Sequence, residues 1–183
     1  LEVVLDAPAT ALIVSDAGAV VGLQVSHGAH VERVRAGSVV LASNGFGNNA
    51  AMLRAHCPEL ADALYLGGEG STGEAIEWGR ELGAETRFMD AYQGHASVAV
   101  PLNVLVSYVT VMEGGVIVNR HGERFGDETH GYSEFATAVI AQPGGDAVLV
   151  YDDRIHEAAM AFDDYRTAHA AGAVRSEASV AAL

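Results

Sequence analysis

The sequence has one cysteine, four prolines, one tryptophan and no lysine. A lone thiol, Cys57, excludes an internal disulfide and any thiolate metal cluster and gives no sign of an oxidising compartment, so a cytoplasmic location is expected. Because every cation is an arginine, Schiff-base lysine chemistry and a P-loop lysine are excluded. No stretch approaches the roughly 18 consecutive apolar residues of a spanning helix. The opening Leu1-Glu2-Val3-Val4-Leu5-Asp6 has no basic region ahead of an apolar one, and neither a membrane segment nor an export signal is expected. Cations are scarce, with 24 acidic residues against 10 basic ones and a formal charge of −14. That balance repels a phosphate backbone and argues against nucleic acid as a partner. No two histidines stand four apart on an expected helix, and His27 and His30 fall in a loop, so no metal site is expected. No G-x-S-x-G elbow and no G-x-G-x-x-G fingerprint is expected. Neither a serine hydrolase nor a self-sufficient nucleotide domain is supported.

What is present is a chain of 183 residues, half of them hydrophobic, long enough to bury a core of its own and to form one or two domains. Ala11-Leu12-Ile13-Val14 and Val20-Val21-Gly22-Leu23-Gln24-Val25 flank the turn cluster Ser15-Asp16-Ala17-Gly18, which predicts a hairpin; with a half-exposed third run over 30–35 it makes an antiparallel meander. Ser38-Val39-Val40-Leu41-Ala42 is a continuous apolar run, the pattern of a strand buried on both faces in a parallel or mixed sheet. Asn48 or Asn49 then caps a helix that stops by Pro58. Ser71 and Glu74 have the spacing of a capping box for a second helix, with Ala75, Ile76 and Leu82 inward and Gly83 at its end. Val116-Ile117-Val118, a turn and Glu123-Arg124-Phe125 predict a strand and its return. Ser133 caps a helix over 133–141 with Phe135, Ala138 and Val139 inward, 147–151 is another buried strand, and Asp153 caps a fourth helix. The class is α/β or α+β in two lobes, with a boundary near residues 85–100.

Four segments concentrate chemistry. Ser43-Asn44-Gly45-Phe46-Gly47, between an expected strand and a capped helix, reads as a loop against a phosphate or flavin, or as an ordinary strand-to-helix turn. Gly73 and Glu74 read as a close backbone approach to a ligand, or as a helix start in which Glu74 serves its own cap. His95, in Gln93-Gly94-His95, suits a carboxylate or carbonyl oxygen, although a lone histidine is also a common structural residue. Asp127-Glu128-Thr129-His130-Gly131-Tyr132-Ser133 gathers acid, imidazole and phenol at a helix N-terminus, where a proton donor or a solvated turn would both fit.

In order, these segments resemble the fumarate reductase/succinate dehydrogenase flavoproteins, a family that includes 3-ketosteroid dehydrogenases. Over about residues 10–155, Val39-Val40-Leu41-Ala42-Ser43-Asn44-Gly45-Phe46 is similar to the family's "VLATGGF", Ser71-Thr72-Gly73-Glu74-Ala75-Ile76 to "TGDGI", Gln93-Gly94-His95 to "QAHPT", and the segment 115–125 to "GAILVNREGKRF". The resemblance implies that residues 1–90 are the central part of a FAD-binding domain without its N-terminal dinucleotide fingerprint. Residues 91–183 are then a capping domain on the substrate side, cut at its C-terminal end. Ser43, Asn44, Gly45, Gly73 and Glu74 are the implied cofactor-binding residues; His95 and Tyr132 are the implied catalytic ones. Fumarate reductases carry a proton-donating arginine where Tyr132 stands, and no arginine occurs between Arg124 and Arg154. Val106-Ser107-Tyr108 fills the place of a further acid. A tyrosine there is similar to the ketosteroid dehydrogenase branch. The implied activity is FAD-dependent interconversion of C–C single and double bonds beside a carbonyl or carboxylate. Its substrate is a small enone, ketosteroid-like molecule or carboxylate, and its electron partner is unspecified. FAD belongs to the full-length parent, and the 183-residue chain by itself is expected to hold it weakly and to be inactive. The competing reading is a non-catalytic binding or scaffold module that retains the capping fold.

Overall fold

The computed structural model describes residues 2–182. The chain separates into two compact units, Leu1–Ala91 and Tyr92–Leu183.

The first unit opens with the expected meander: β1 (Ala9–Val14), β2 (Val20–His27) and β3 (His30–Arg35), paired antiparallel in the order β1-β2-β3. The β1–β2 turn is closed by Ser15, whose carbonyl accepts from Gly18 N–H at 2.8 Å. All six residues of β3 are exposed rather than half-exposed. The apolar run 38–42 is not a strand, and Val40 is 86% exposed. A strand buried on both faces needs hydrogen-bonded neighbours and a covering layer on each side, and among the described residues this run has neither.

Helix α1 (Ala50–His56) is capped by Asn49, whose side-chain oxygen accepts from the N–H groups of Ala51 and Met52 at 3.1 Å, and Pro58 starts a separate 3-10 turn. Helix α2 (Glu74–Glu81) departs from the expected capping box. Its cap is Gly73 at φ 91°, a left-handed turn that glycine enters at little cost. Ser71 is buried three residues before the helix, and its carbonyl accepts from Asn48 N–H at 2.9 Å. Gly83, at φ 85°, follows the last turn as expected.

The second unit holds β4 (Val98–Ala99), β5 (Val104–Leu105), α3 (Val109–Met112), β6 (Val116–Val118), α4 (Tyr132–Ile140), β7 (Val148–Val150), α5 (Asp153–Ala159) and α6 (Asp163–Ala170). The pairs β4–β5 and β6–β7 are antiparallel, so the fold is mixed α/β with small antiparallel sheets. The turn at Pro143-Gly144-Gly145 sends the chain back along β6, and Arg120 closes the β6–β7 end with a two-pronged pair to Asp146 at 2.6 and 2.7 Å. Two assumed caps move. Asp152, not Asp153, accepts from Ile155 N–H at 3.0 Å at the start of α5. Helix α4 begins at Tyr132 behind Gly131, leaving Ser133 inside its first turn.

Both hydrophobic clusters lie in this unit. Val106, Ala159, Tyr165 and Ala168 form one; Tyr108, Val111, Ile117 and Phe135 form the other, and Leu149 packs against both. Strand β7 is not a fully buried strand: Val148 is 55% exposed, and Leu149 and Val150 are half-buried. The buried Tyr165 hydroxyl is satisfied by His156 Nδ1 at 2.7 Å and the Tyr151 hydroxyl at 2.9 Å.

The return strand after β6 reduces to a single bridge, Val118 to Arg124. The reason is Glu128, 1% exposed. One carboxylate oxygen accepts the Ile117 N–H at 3.0 Å, the donor a longer return strand would use, and the other accepts Arg124 Nη2 at 2.7 Å. Burial pushes this carboxyl up, but the guanidinium and the backbone donor outweigh it and hold it below its ordinary value. Removing one side of a buried, hydrogen-bonded pair leaves its partners desolvated. Glu128→Ala is expected to cost about 3 kcal/mol, read as a lower urea midpoint for the second unit, with Arg120→Ala, at an exposed pair, costing well under half as much.

Candidate active site

In the second unit, a short backbone clasp brings His95 and Tyr132 together from 37 residues apart in sequence. Gly94 N–H donates to the Ser133 hydroxyl at 3.0 Å, and Ala96 N–H donates to the Tyr132 carbonyl at 2.9 Å. This explains why Ser133 does not cap α4: its oxygen serves another segment. Gly94 permits the approach, because a Cβ there would lie 2.6 Å from Ala136 Cβ. Between the two clasping bonds, the His95 ring stacks on that of Tyr132 with centroids 4.8 Å apart and planes 22° from parallel.

The hydrogen bonds fix the proton positions. Ser97 N–H donates to His95 Nδ1 at 3.3 Å, so the neutral ring carries its proton on Nε2. Gln93 Nε2 donates to the Tyr132 hydroxyl at 2.9 Å, leaving the phenol's own proton unused. Burial lowers the His95 pKa, opposed by the negative charge of Asp164, and burial prevails. The outcome is two adjacent uncharged donors, an imidazole N–H and a phenol O–H, on a half-buried and a 37% exposed ring. Such a pair suits a carbonyl oxygen and the proton on a neighbouring carbon. The nearby charges are acidic: Asp164 acts on His95, and Glu128, Asp127 and Glu134 act on Tyr108. Arg124 is committed to Glu128. Sequence reasoning named Gln93 and Tyr108 only within motifs, without a role, and missed Ser97, because each acts through a contact that its own segment does not reveal.

In the first unit, the segments around 43–49 and 69–74 are also joined. Asn48 donates through Nδ2 to the Glu69 carbonyl at 2.7 Å, and Asn49 through Nδ2 to the Thr72 carbonyl at 2.8 Å. Ser43 and Asn44 are exposed, Asn44 turns at φ 68° with its side chain accepting from Gly45 N–H, and the space beyond Gly45 is open. Gly73 is closed instead: a Cβ there would overlap Met52 and press on Phe46. The spacing Gly68-x-Gly70-x-x-Gly73 precedes α2, yet residues 61–67 ahead of it form turns and unpaired chain rather than a strand. The Glu74 carboxylate, hydrogen-bonded by the Thr72 hydroxyl and held below its ordinary pKa by that bond, already occupies the anion-favouring helix start. A groove of about 290 Å³ along α2, lined by residues including Ile76, Arg80 and Met89, takes in none of the expected site residues.

The FAD binding domain family matches residues 1–173. The chain belongs to this family. It is 32% identical over 150 residues to a probable fumarate reductase of Shewanella frigidimarina, covering 81% of this chain and 25% of that protein. Its fold is similar to the open conformation of a flavocytochrome c3 fumarate reductase, with a TM-score of 0.70 and 28% identity over 91% of this chain and 29% of that one. It is also similar to 3-ketosteroid delta1-dehydrogenase from Sterolibacterium denitrificans, solved with 1,4-androstadiene-3,17-dione: TM-score 0.66, 27% identity, 83% of this chain and 29% of that one. The chain thus spans about a quarter of the length of its relatives. For FAD, Ser43, Asn44 and Gly45 offer an exposed turn with open space beyond Gly45. Gly73 is packed against Met52 and Phe46 on its Cβ side, and Glu74 brings a carboxylate to the helix start.

A histidine held neutral by burial favours folding above its unfolded pKa. That contribution is lost as pH falls through about 6.5 towards the lowered folded value. Urea midpoints are expected to fall between pH 7.5 and 5.5, and His95→Gln to flatten that slope relative to the parent chain.

Proposed function

We propose that this chain is part of a FAD-dependent oxidoreductase that interconverts C–C single and double bonds beside a carbonyl, and that its substrate is not fumarate. The stacked, uncharged His95–Tyr132 pair carries this reading. In it, His95 Nε2–H would donate to the substrate oxygen, and Tyr132, oriented by Gln93, would give its hydroxyl proton to the adjacent carbon on reduction and regain one from solvent, its phenolate taking that proton in the reverse direction. FAD, when bound, supplies the hydride chemistry. The absence of an arginine between Arg124 and Arg154 and the acidic surroundings of the pair support an enone or ketosteroid-like substrate over a dicarboxylate. Ser43, Asn44 and Gly45 would border the cofactor. The family match supports FAD in the whole protein. For the 183-residue chain alone we infer weak FAD uptake and no turnover, and tight stoichiometric FAD would overturn that inference.

The full-length, FAD-loaded protein is expected to turn over a cyclic enone or its saturated ketone with a suitable redox dye. Tyr132→Phe should lower kcat by about 10²–10⁴-fold with little change in substrate Kd. A colourless full-length protein that takes up no flavin would favour a scaffold role instead, and an unchanged kcat in Tyr132→Phe would remove the phenol from the chemistry.

A further inference from the structure

Neither working ring is anchored by its own burial. Tyr132 is 37% exposed, and the group that holds its hydroxyl, Gln93, is itself exposed. A third ring touches both. Tyr108 meets His95 edge-on at 6.1 Å and 85°, and Tyr132 at 5.8 Å and 74°. Unlike them it is buried, at 8% exposure, in the cluster with Val111, Ile117 and Phe135. Its hydroxyl donates to the Glu128 carbonyl at 2.7 Å, on the same residue whose carboxylate pins Ile117 and Arg124. Edge-to-face and stacked contacts have preferred distances and tilts, so a fixed third ring constrains the two that lean on it.

The backbone places these segments in register. Val106 N–H donates to the Ser97 carbonyl at 3.0 Å, and the Ser97 hydroxyl donates to the Val106 carbonyl at 2.7 Å. Ser97 is also the residue whose N–H sets the His95 tautomer. The chain carrying Tyr108 is thereby locked beside the chain carrying His95. Burial, reinforced by Glu128, Asp127 and Glu134, pushes the Tyr108 phenol up to about 12, so it remains a protonated donor to Glu128 across the working pH range.

We propose that Tyr108 is a positioning residue, its ring pinned through Glu128 so that it fixes the spacing and tilt of the His95 and Tyr132 rings. The inference rests on reading those two rings as the ligand-facing pair. It assigns Tyr108 no contact with substrate or cofactor.

The test is NMR of the chain labelled at histidine and tyrosine rings, which needs neither flavin nor substrate and so can fail independently of the proposed activity. Tyr108→Phe removes the pin but keeps the ring; the His95–Tyr132 ring NOE is expected to fall to about half its parent intensity. Tyr108→Leu removes the ring as well; the NOE should be lost and the His95 titration midpoint should rise towards the ordinary value of about 6.5. Tyr165→Phe, which removes a buried phenol from the other cluster, should leave both signals unchanged. An unaltered NOE in Tyr108→Phe, an unaltered midpoint in a folded Tyr108→Leu, or equal changes in Tyr165→Phe would each overturn the proposal. If Tyr108→Leu does not fold, Tyr108→Phe decides.

Discussion

The close passage of Gly94 over the first turn of α4 is the constraint on which the candidate site depends. Two backbone donors, from Gly94 and Ala96, are satisfied by Ser133 and Tyr132, and a Cβ at position 94 would strike Ala136. Everything chemically distinctive about the second unit follows from that passage. It sets the imidazole against the phenol and buries the imidazole enough to keep it neutral. It also aligns the chain so that Ser97 dictates which ring nitrogen carries the proton.

The clasp needs a firm floor, and Glu128 supplies much of it. A carboxylate with 1% exposure would be costly alone, but it serves as the strand partner that Ile117 lacks and as the counter-ion of Arg124, while its carbonyl receives the Tyr108 phenol. The same residue therefore ends the return strand and supports the third ring. The first unit shows the contrast. Its meander is largely exposed, its apolar run at 38–42 is uncovered, and its order around α1 and α2 rests on the side-chain amides of Asn48 and Asn49. Both hydrophobic clusters belong to the unit that carries the ring pair.

Much of this was legible in the sequence. Period-two alternation marked β1 and β2, Asn49 and Pro58 bracketed α1, and four ordered motifs indicated the family that the match over residues 1–173 establishes. His95 and Tyr132 were identified singly; that they stack was not legible, because the contact depends on a glycine and a serine in different segments. The failures have physical causes of the same kind. Ser71 and Ser133 have the composition of helix caps, yet tertiary hydrogen bonds occupy the groups around them, and a left-handed glycine starts α2 instead. The run at 38–42 has the composition of a central strand, but composition does not supply neighbours. The return strand after β6 shrinks to one bridge because the Glu128 carboxylate takes the donor it needs. Tyr108 stood out only as a replacement for the family's acid, and its ring contacts depend on segments far from it in sequence.

The proposed chemistry rests on one physical statement: a neutral imidazole donates to a carbonyl oxygen while the phenol stacked on it handles the proton on the neighbouring carbon. Its most direct measurement is the vibrational spectrum of an isotope-edited ketone bound to the full-length, FAD-loaded protein. The His95 donor should move the carbonyl stretch below its value in an apolar solvent, and replacing His95 with alanine should move it back, while Tyr132→Phe leaves it nearly in place. A bound ketone whose stretch lies at or above its value in an apolar solvent, unaltered when His95 is replaced, would contradict it.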